Sequence, residues 1–189
     1  MASFTVVYDA CVLYPAPLRD LLIRLGRSGI VRARWSDAIL DEMVQAILSQ
    51  RPDLDSASQL RTRALMCAAV EDCLVVGFDR LIPAIHLPDP NDRHVVAAAI
   101  RSGAQAIVTF NLRDFPDHDL EGWNIEAKHP DEFVLDSLDL APGVVVQCIT
   151  EQAAELRNPR RSIAEVLDKL REGGLVRSTA ALRGLMRLE

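Results

Sequence analysis

No apolar run in this 189-residue chain approaches the length of a membrane-spanning helix, and its opening MASFTVVYDA lacks the basic stretch and apolar core of a secretion signal. Those absences set a cytoplasmic protein with no membrane partner as the expectation. Cysteine is scarce: Cys11, Cys67, Cys73 and Cys148 form no CxxC pair and match no zinc-module spacing. They read as reduced, mostly buried small apolar residues. His86, His94, His118 and His129 are scattered too, and His94, in the first turn of a helix, reads as structural or substrate-facing rather than as a ligand. Internal repeats and low-complexity segments are absent. Lysine is nearly missing, since 19 of the 21 basic residues are Arg. Arginine forks suit phosphate and carboxylate, although genome composition produces the same bias.

What is present describes a globular chain. It is 49% hydrophobic and 25% charged, and long enough for one well-buried core plus an appendage. The net charge of −6 argues against holding nucleic acid by general electrostatics. Its distribution is uneven. Residues 1–140 carry 13 basic and 21 acidic side chains, whereas residues 141–189 carry 8 and 6. A change of composition near Asp139–Gly143 coincides with that shift, and it divides the chain into an expected domain over 1–140 and a helical C-terminal extension over 141–189.

Along the first part, Phe4 to Tyr8 is a short β-branched run, a buried strand ending at Asp9. A helix follows, with Pro17 near its start and Gly26 or Gly29 as its stop. Val31–Trp35 is either a short strand or an extended connector. Ser36 suits the N-cap of a helix whose apolar residues Ile39, Leu40, Met43, Val44, Ile47 and Leu48 form a stripe, with Glu42 on its flank. Leu60–Val70 predicts a further helix, Cys73–Gly77 a strand, Asp92–Ser102 a helix closed by Gly103, Gln105–Phe110 a strand, and the neighbourhood of Ile125 a last short strand. Strands alternating with helices predict an α/β fold with a parallel sheet covered on both faces. In the extension, Pro142 opens one helix, Ser162–Glu165 fits a capping box before a second, and Ser178–Leu188 makes a basic third.

The chemistry is carried by oxygen ligands around Leu87–Phe115. Asp89 and Asp92 lie at the start of the predicted helix, and Asn111 and Asp114 follow the strand. The helix and strand between them separate the two groups, so they converge only if another strand end lies between. Asp9 is the candidate for that end, and Glu42 can reach the same edge from its helix flank. Ligands bind at such carboxyl edges of open parallel sheets. Four or more carboxylates with no Lys partner conflict electrostatically unless a hard cation joins them. Each acid also has an ordinary explanation: Asp89 and Asp92 complement a helix dipole, Asp114 caps a turn, and Glu42 is solvated.

The ordered set VVYDACVLYP, SDAILDEM, DPNDRHVVAAAI and AIVTFNLRDFP resembles the PIN-domain family of ribonucleases, especially its VapC-type toxins, over about residues 4–135. The resemblance implies a three-layer α/β/α PIN-like domain and Mg²⁺- or Mn²⁺-dependent hydrolysis of RNA. It also implies a small antitoxin protein as partner. Homodimers are common in that family, and no residue pattern here selects one. Carried over by position, the acids are Asp9, Glu42 and Asp92, with Asp89 as an extra acid near the third. The fourth position falls on Asn111, with Asp114 three residues on, and the choice between them stays open. Asp9, Asp92, Asp89 and Asn111 are then the implied metal ligands, and Asp9, Glu42, Asp92 and Asp114 the implied catalytic set. Arg93 and Arg113 are the candidate grips on RNA, with Arg157, Arg160 and Arg161 of the extension behind them. Ala10-Cys11 departs from the Thr-Asn of many members.

Two other readings use the same residues. A catalytically degenerate PIN-like module would work through its helical tail, and it draws on Asn111 and Ala10-Cys11. An aspartyl-phosphate phosphatase would use Asp9 as nucleophile, but its general acid two residues on would be Cys11.

Overall fold

The computed structural model describes residues 4–188. Its frame is a parallel four-stranded sheet of order β2-β1-β3-β4, made of β1 (Phe4–Tyr8), β2 (Val31–Arg34), β3 (Ala106–Val108) and β4 (Glu126–Lys128). Every pairing is parallel, with Val7 beside both Arg34 and Ile107. The chain leaves β1 to build β2 on one side and β3 on the other. That reversal opens a crevice between the carboxyl ends of β1 and β3.

Between these strands run α1 (Ala10–Leu13), α2 (Ala16–Ser28), α3 (Asp37–Gln50), α4 (Ser56–Ala69), α5 (Arg93–Ser102) and the short α6 (Asp117–Leu120). The expected signals act where they stand. Ser36 Oγ accepts from Ile39 N–H at the start of α3, whose Ile39, Leu40, Met43 and Ile47 are buried. Gly29 (φ 79°) and Gly103 (φ 64°) end α2 and α5 in the left-handed region that favours glycine. Val6, Val7 and Tyr8 are fully buried in a strand covered on both faces.

Three expectations change. Cys73–Gly77 is no strand: it makes one parallel bridge, Trp35 to Leu74, before Gly77 (φ 73°) turns the chain away and leaves Val76 exposed. The helix expected from Asp92 instead begins as a tight 3-10 turn over Pro90–Asp92, and α5 proper starts at Arg93. α4 starts earlier than expected, because Asp55 caps it through Ala57 N–H.

After β4 come α7 (Pro130–Leu140), α8 (Pro142–Glu155), α9 (Ile163–Glu172) and α10 (Val176–Met186). The capping box at Ser162 and Glu165 is formed in full. These helices dock on the sheet domain rather than trail from it. Arg24 of α2, only 5% exposed, binds Glu155 of α8 at 2.7 Å. α10 packs on α7 and α9 with Leu182 fully buried, while Leu185 stays exposed. No single helix among the described residues is long and apolar enough to cross a membrane.

One close approach is testable. A Cβ at Gly26 would lie 2.9 Å from the Cβ of Ala33 and 3.5 Å from a Val70 methyl. The Ala33 methyl is fixed to a central part of β2 and has no rotamer to change. Gly26→Ala gains about 1 kcal/mol of helix propensity but faces overpacking of about 1–3 kcal/mol. A lower urea midpoint at unchanged slope is the expected result.

Candidate metal and nuclease site

The two loops that the sequence reading kept apart lie on one edge. α5 runs back across the sheet before β3 returns, so the start of α5 and the end of β3 both flank the end of β1. Asp9, Glu42, Asp92 and Asn111 line one cleft of about 330 Å³ there, together with Cys11, Tyr14 and Gln50.

Asp9 is 5% exposed and tightly held. Its Oδ1 accepts from Ala10 N–H at 2.7 Å, and its Oδ2 accepts from the Thr109 hydroxyl at 2.7 Å and the Cys11 thiol at 3.1 Å. The sulfur of Cys11 in turn accepts from Phe110 N–H at 3.3 Å, and the Thr109 oxygen accepts from Asn111 N–H at 3.0 Å. The Ala10-Cys11 departure therefore builds a clamp rather than a void. Burial first, and the Asp9 charge second, push the Cys11 thiol up to about 12, so it stays a protonated donor.

Asp92 stands at the N-terminus of α5, where its charge complements the helix dipole, but its side chain makes no capping hydrogen bond there. Burial pushes its carboxyl up to about 6, reinforced by the charges of Asp9, Asp89, Asp114 and Glu42. Five carboxyl groups thus share one electrostatic neighbourhood. Asp89 caps the 3-10 turn Pro90–Asp92, accepting from Asn91 N–H at 2.8 Å. Asp114 sits half-buried in the 3-10 turn Leu112–Asp114 and does not line the cleft, although its charge reaches Asp92. Asn111 does line it, with an exposed side chain.

Sequence reasoning read His94 as structural or substrate-facing but did not find its partner. Its ring is 13% exposed and its Nε2 lies 2.8 Å from Glu42 Oε1. Burial pulls this imidazole down, but the hydrogen bond and charge of Glu42, with Asp9 and Asp92 behind them, outweigh it and leave the group raised. No sequence signal pairs two residues 52 positions apart. Thr109 was legible only as the end of a strand.

Of the arginines, Arg93 is half-buried and its Nε has no hydrogen-bond partner among the described residues, while Arg113 is exposed. Among the described residues no basic side chain lines the cleft itself. Arg161 lines a separate groove beside α2, α8 and α9.

No three acid, histidine or cysteine side chains among the described residues stand close enough to hold an ion as they are. The donor set is nonetheless one of hard oxygens with unneutralised charge, which suits Mg²⁺ or Mn²⁺ rather than a soft metal.

Comparison with known proteins agrees with this geometry. The sequence pattern of the VapC50 C-terminal domain matches residues 130–184. A protein of Mycobacterium tuberculosis (strain ATCC 25618 / H37Rv) described as "Putative ribonuclease VapC50" is 52% identical over 64 residues. That match covers 34% of this chain and 37% of the relative, so the chain spans little more than a third of that protein. No solved structure matches the chain. The pattern of the PIN domain matches residues 5–113, more than half of the sequence and all the elements that build the cleft, so the chain belongs to the PIN-domain family.

Proposed function

We propose that this chain is a divalent-metal-dependent endoribonuclease, the toxin of a toxin–antitoxin pair that acts on cytoplasmic RNA and is restrained by a small antitoxin protein. The observation that carries the reading is the gathering of Asp9, Glu42, Asp92 and Asn111 on one cleft, with the Asp92 carboxyl pushed up to about 6 by burial and by the acids around it. The VapC50 relative is itself described as a ribonuclease.

Asp9, Asp92, Asp89 and Asn111 are the residues that would hold Mg²⁺ or Mn²⁺, with Glu42 and Asp114 supplying further charge. Such a cation supplies charge neutralisation at a phosphodiester and a more acidic water. Asp9 is oriented in advance by Thr109, Cys11 and Ala10 N–H, so its carboxylate loses little freedom on binding. Asp92, with no capping bond to break, is free to turn toward the ligand. Arg93 and Arg113 flank the acids and grip phosphate, which an acidic domain must do locally rather than by its overall field.

The test is RNA cleavage by the purified chain with Mg²⁺ or Mn²⁺, with EDTA, and in Asp9→Asn. Chelation is expected to abolish cleavage, and Asp9→Asn to lose more than the roughly 10–100-fold that outer-shell partners cost. Full-rate cleavage by Asp9→Asn would sink the reading. A chain that binds no metal and cuts no RNA would instead be a binding module working through its helical extension. The phosphatase reading has lost its ground, since Cys11 is committed as a donor to Asp9 and the fold family is that of PIN domains.

A further inference from the structure

His94 stands just inside the acid cleft without belonging to the acid set. It projects from the first turn of α5 to the flank of α3 and meets Glu42 there, with Nε2 2.8 Å from Oε1. This bond ties α3, which carries Glu42, to the start of α5, directly after Asp92. His94 is 13% exposed while Glu42 is 43% exposed, so a nearly fixed ring holds a side chain that solvent would otherwise leave free. The buried Nδ1 of His94 has no partner among the described residues. With nothing to receive a proton from Nδ1, the donor to Glu42 is Nε2–H.

Left alone, Glu42 has reasons to leave the cleft. A free glutamate has several rotamers, and confining one costs on the order of 1–2 kcal/mol. The charges of Asp9 and Asp92 repel it as well. The His94 bond opposes both effects by occupying Oε1.

We propose that His94 is a positioning residue for Glu42, whose bond to Oε1 holds that carboxylate in the cleft and thereby raises the affinity of the site for a divalent cation. This rests on the metal-dependent reading above and adds to it the residue that sets the fourth wall of the site. His94 need not touch the cation or the RNA. Its effect runs wholly through Glu42.

Mn²⁺ binding to the full chain, followed by calorimetry, tests it without reference to activity. His94→Ala is expected to bind Mn²⁺ about 10-fold more weakly, and His94→Gln, which keeps an N–H at a similar reach, to return within about 3-fold of wild type. In a double-mutant cycle, His94→Ala should add almost nothing once Glu42 is already Ala. Melting curves in EDTA establish that each variant is folded, and the Gln variant keeps the test decisive if the Ala variant is not. Equal or tighter binding by His94→Ala overturns the proposal, as does a Gln variant as weak as Ala, or a full His94 effect in the Glu42→Ala background. Those failures leave the nuclease reading standing, whereas a wild-type chain that binds no Mn²⁺ overturns both.

Discussion

Asp92→Asn is expected to abolish RNA cleavage and, in EDTA at pH 7, to melt at a higher temperature than the wild type. On the proposed metal-dependent reading, the activity loss follows from removing a charged oxygen ligand and should exceed the roughly 10–100-fold of an outer-shell change. The stability gain follows from the same charge. The Asp92 carboxyl is raised from 3.8 to about 6, first by burial and then by Asp9, Asp89, Asp114 and Glu42. Between these values the folded state binds more protons than the unfolded chain, so stability falls as pH rises through that window. Above it, the folded state carries a charge it would rather neutralise, and Asn carries none. The side chain stays partly solvated, so the gain is discounted to about 1 kcal/mol, or a rise of about 2–4 °C for a chain of this size. Thermal melts of both proteins from pH 4 to pH 8 check it, with convergence expected at the acid end. Mg²⁺ should raise the wild-type melting temperature and close the gap. A variant that melts lower in EDTA at pH 7 would mean that the Asp92 carboxylate has a structural role after all.

The second large effect lies away from the cleft. Asp131 of α7 is 7% exposed, and its carboxylate accepts from Arg177 N–H at 2.9 Å, Ser178 N–H at 2.8 Å and the Ser178 hydroxyl at 2.6 Å. α10 begins at Val176 with no side-chain cap of its own. Asp131 therefore caps that helix from 46 residues upstream. Asp131→Ala leaves those donors unanswered, two of them on Ser178, which is fully buried. At about 1–3 kcal/mol for each buried donor left unmade, the loss is on the order of 3 kcal/mol or more. Burial would raise the Asp131 carboxyl, but the bonds from Ser178 and Arg177 outweigh it and hold it below the usual range. The contribution is thus present at neutral pH and is lost as pH falls below the ordinary Asp value through the lowered one. Urea unfolding measures the loss, and hydrogen exchange should show α10 opening first. Asp131→Asn, which keeps one acceptor oxygen, should fall between. An Ala variant as stable as wild type would leave α10 held by its apolar contacts alone.

Both cases turn on carboxylates, yet they differ in how far a linear reading reaches. Asp92 is visible because it sits in a short run with a helix boundary, a glycine stop and a strand behind it. Asp131 is invisible because its partners are backbone groups of a distant helix, and nothing in HPDEFVLDSL separates a capping acid from a solvated one. His94 is similar: its partner lies on another helix, so position in the first turn of α5 predicts only a structural or substrate-facing role. The expected strand at Cys73–Gly77 fails for a related reason. Its apolar residues satisfy the local pattern, but the edge of β2 offers it only Trp35 before Gly77 turns the chain.

Sequence alone was enough for the alternation of strands and helices, the parallel α/β class and the caps at Ser36 and Ser162. Those features follow from contacts within a few residues, where periodicity and side-chain reach decide the outcome. The order of the acids along the chain was legible for the same reason. Tertiary structure decided which of them meet. The reversal of strand order at β1 brings Asp9 beside the start of α5 and the end of β3, and α3 then delivers Glu42 to His94. Proximity across 52 or 100 residues is a property of how the elements pack, and so are the thiol and hydroxyl that clamp Asp9 and the burial and charges that raise Asp92.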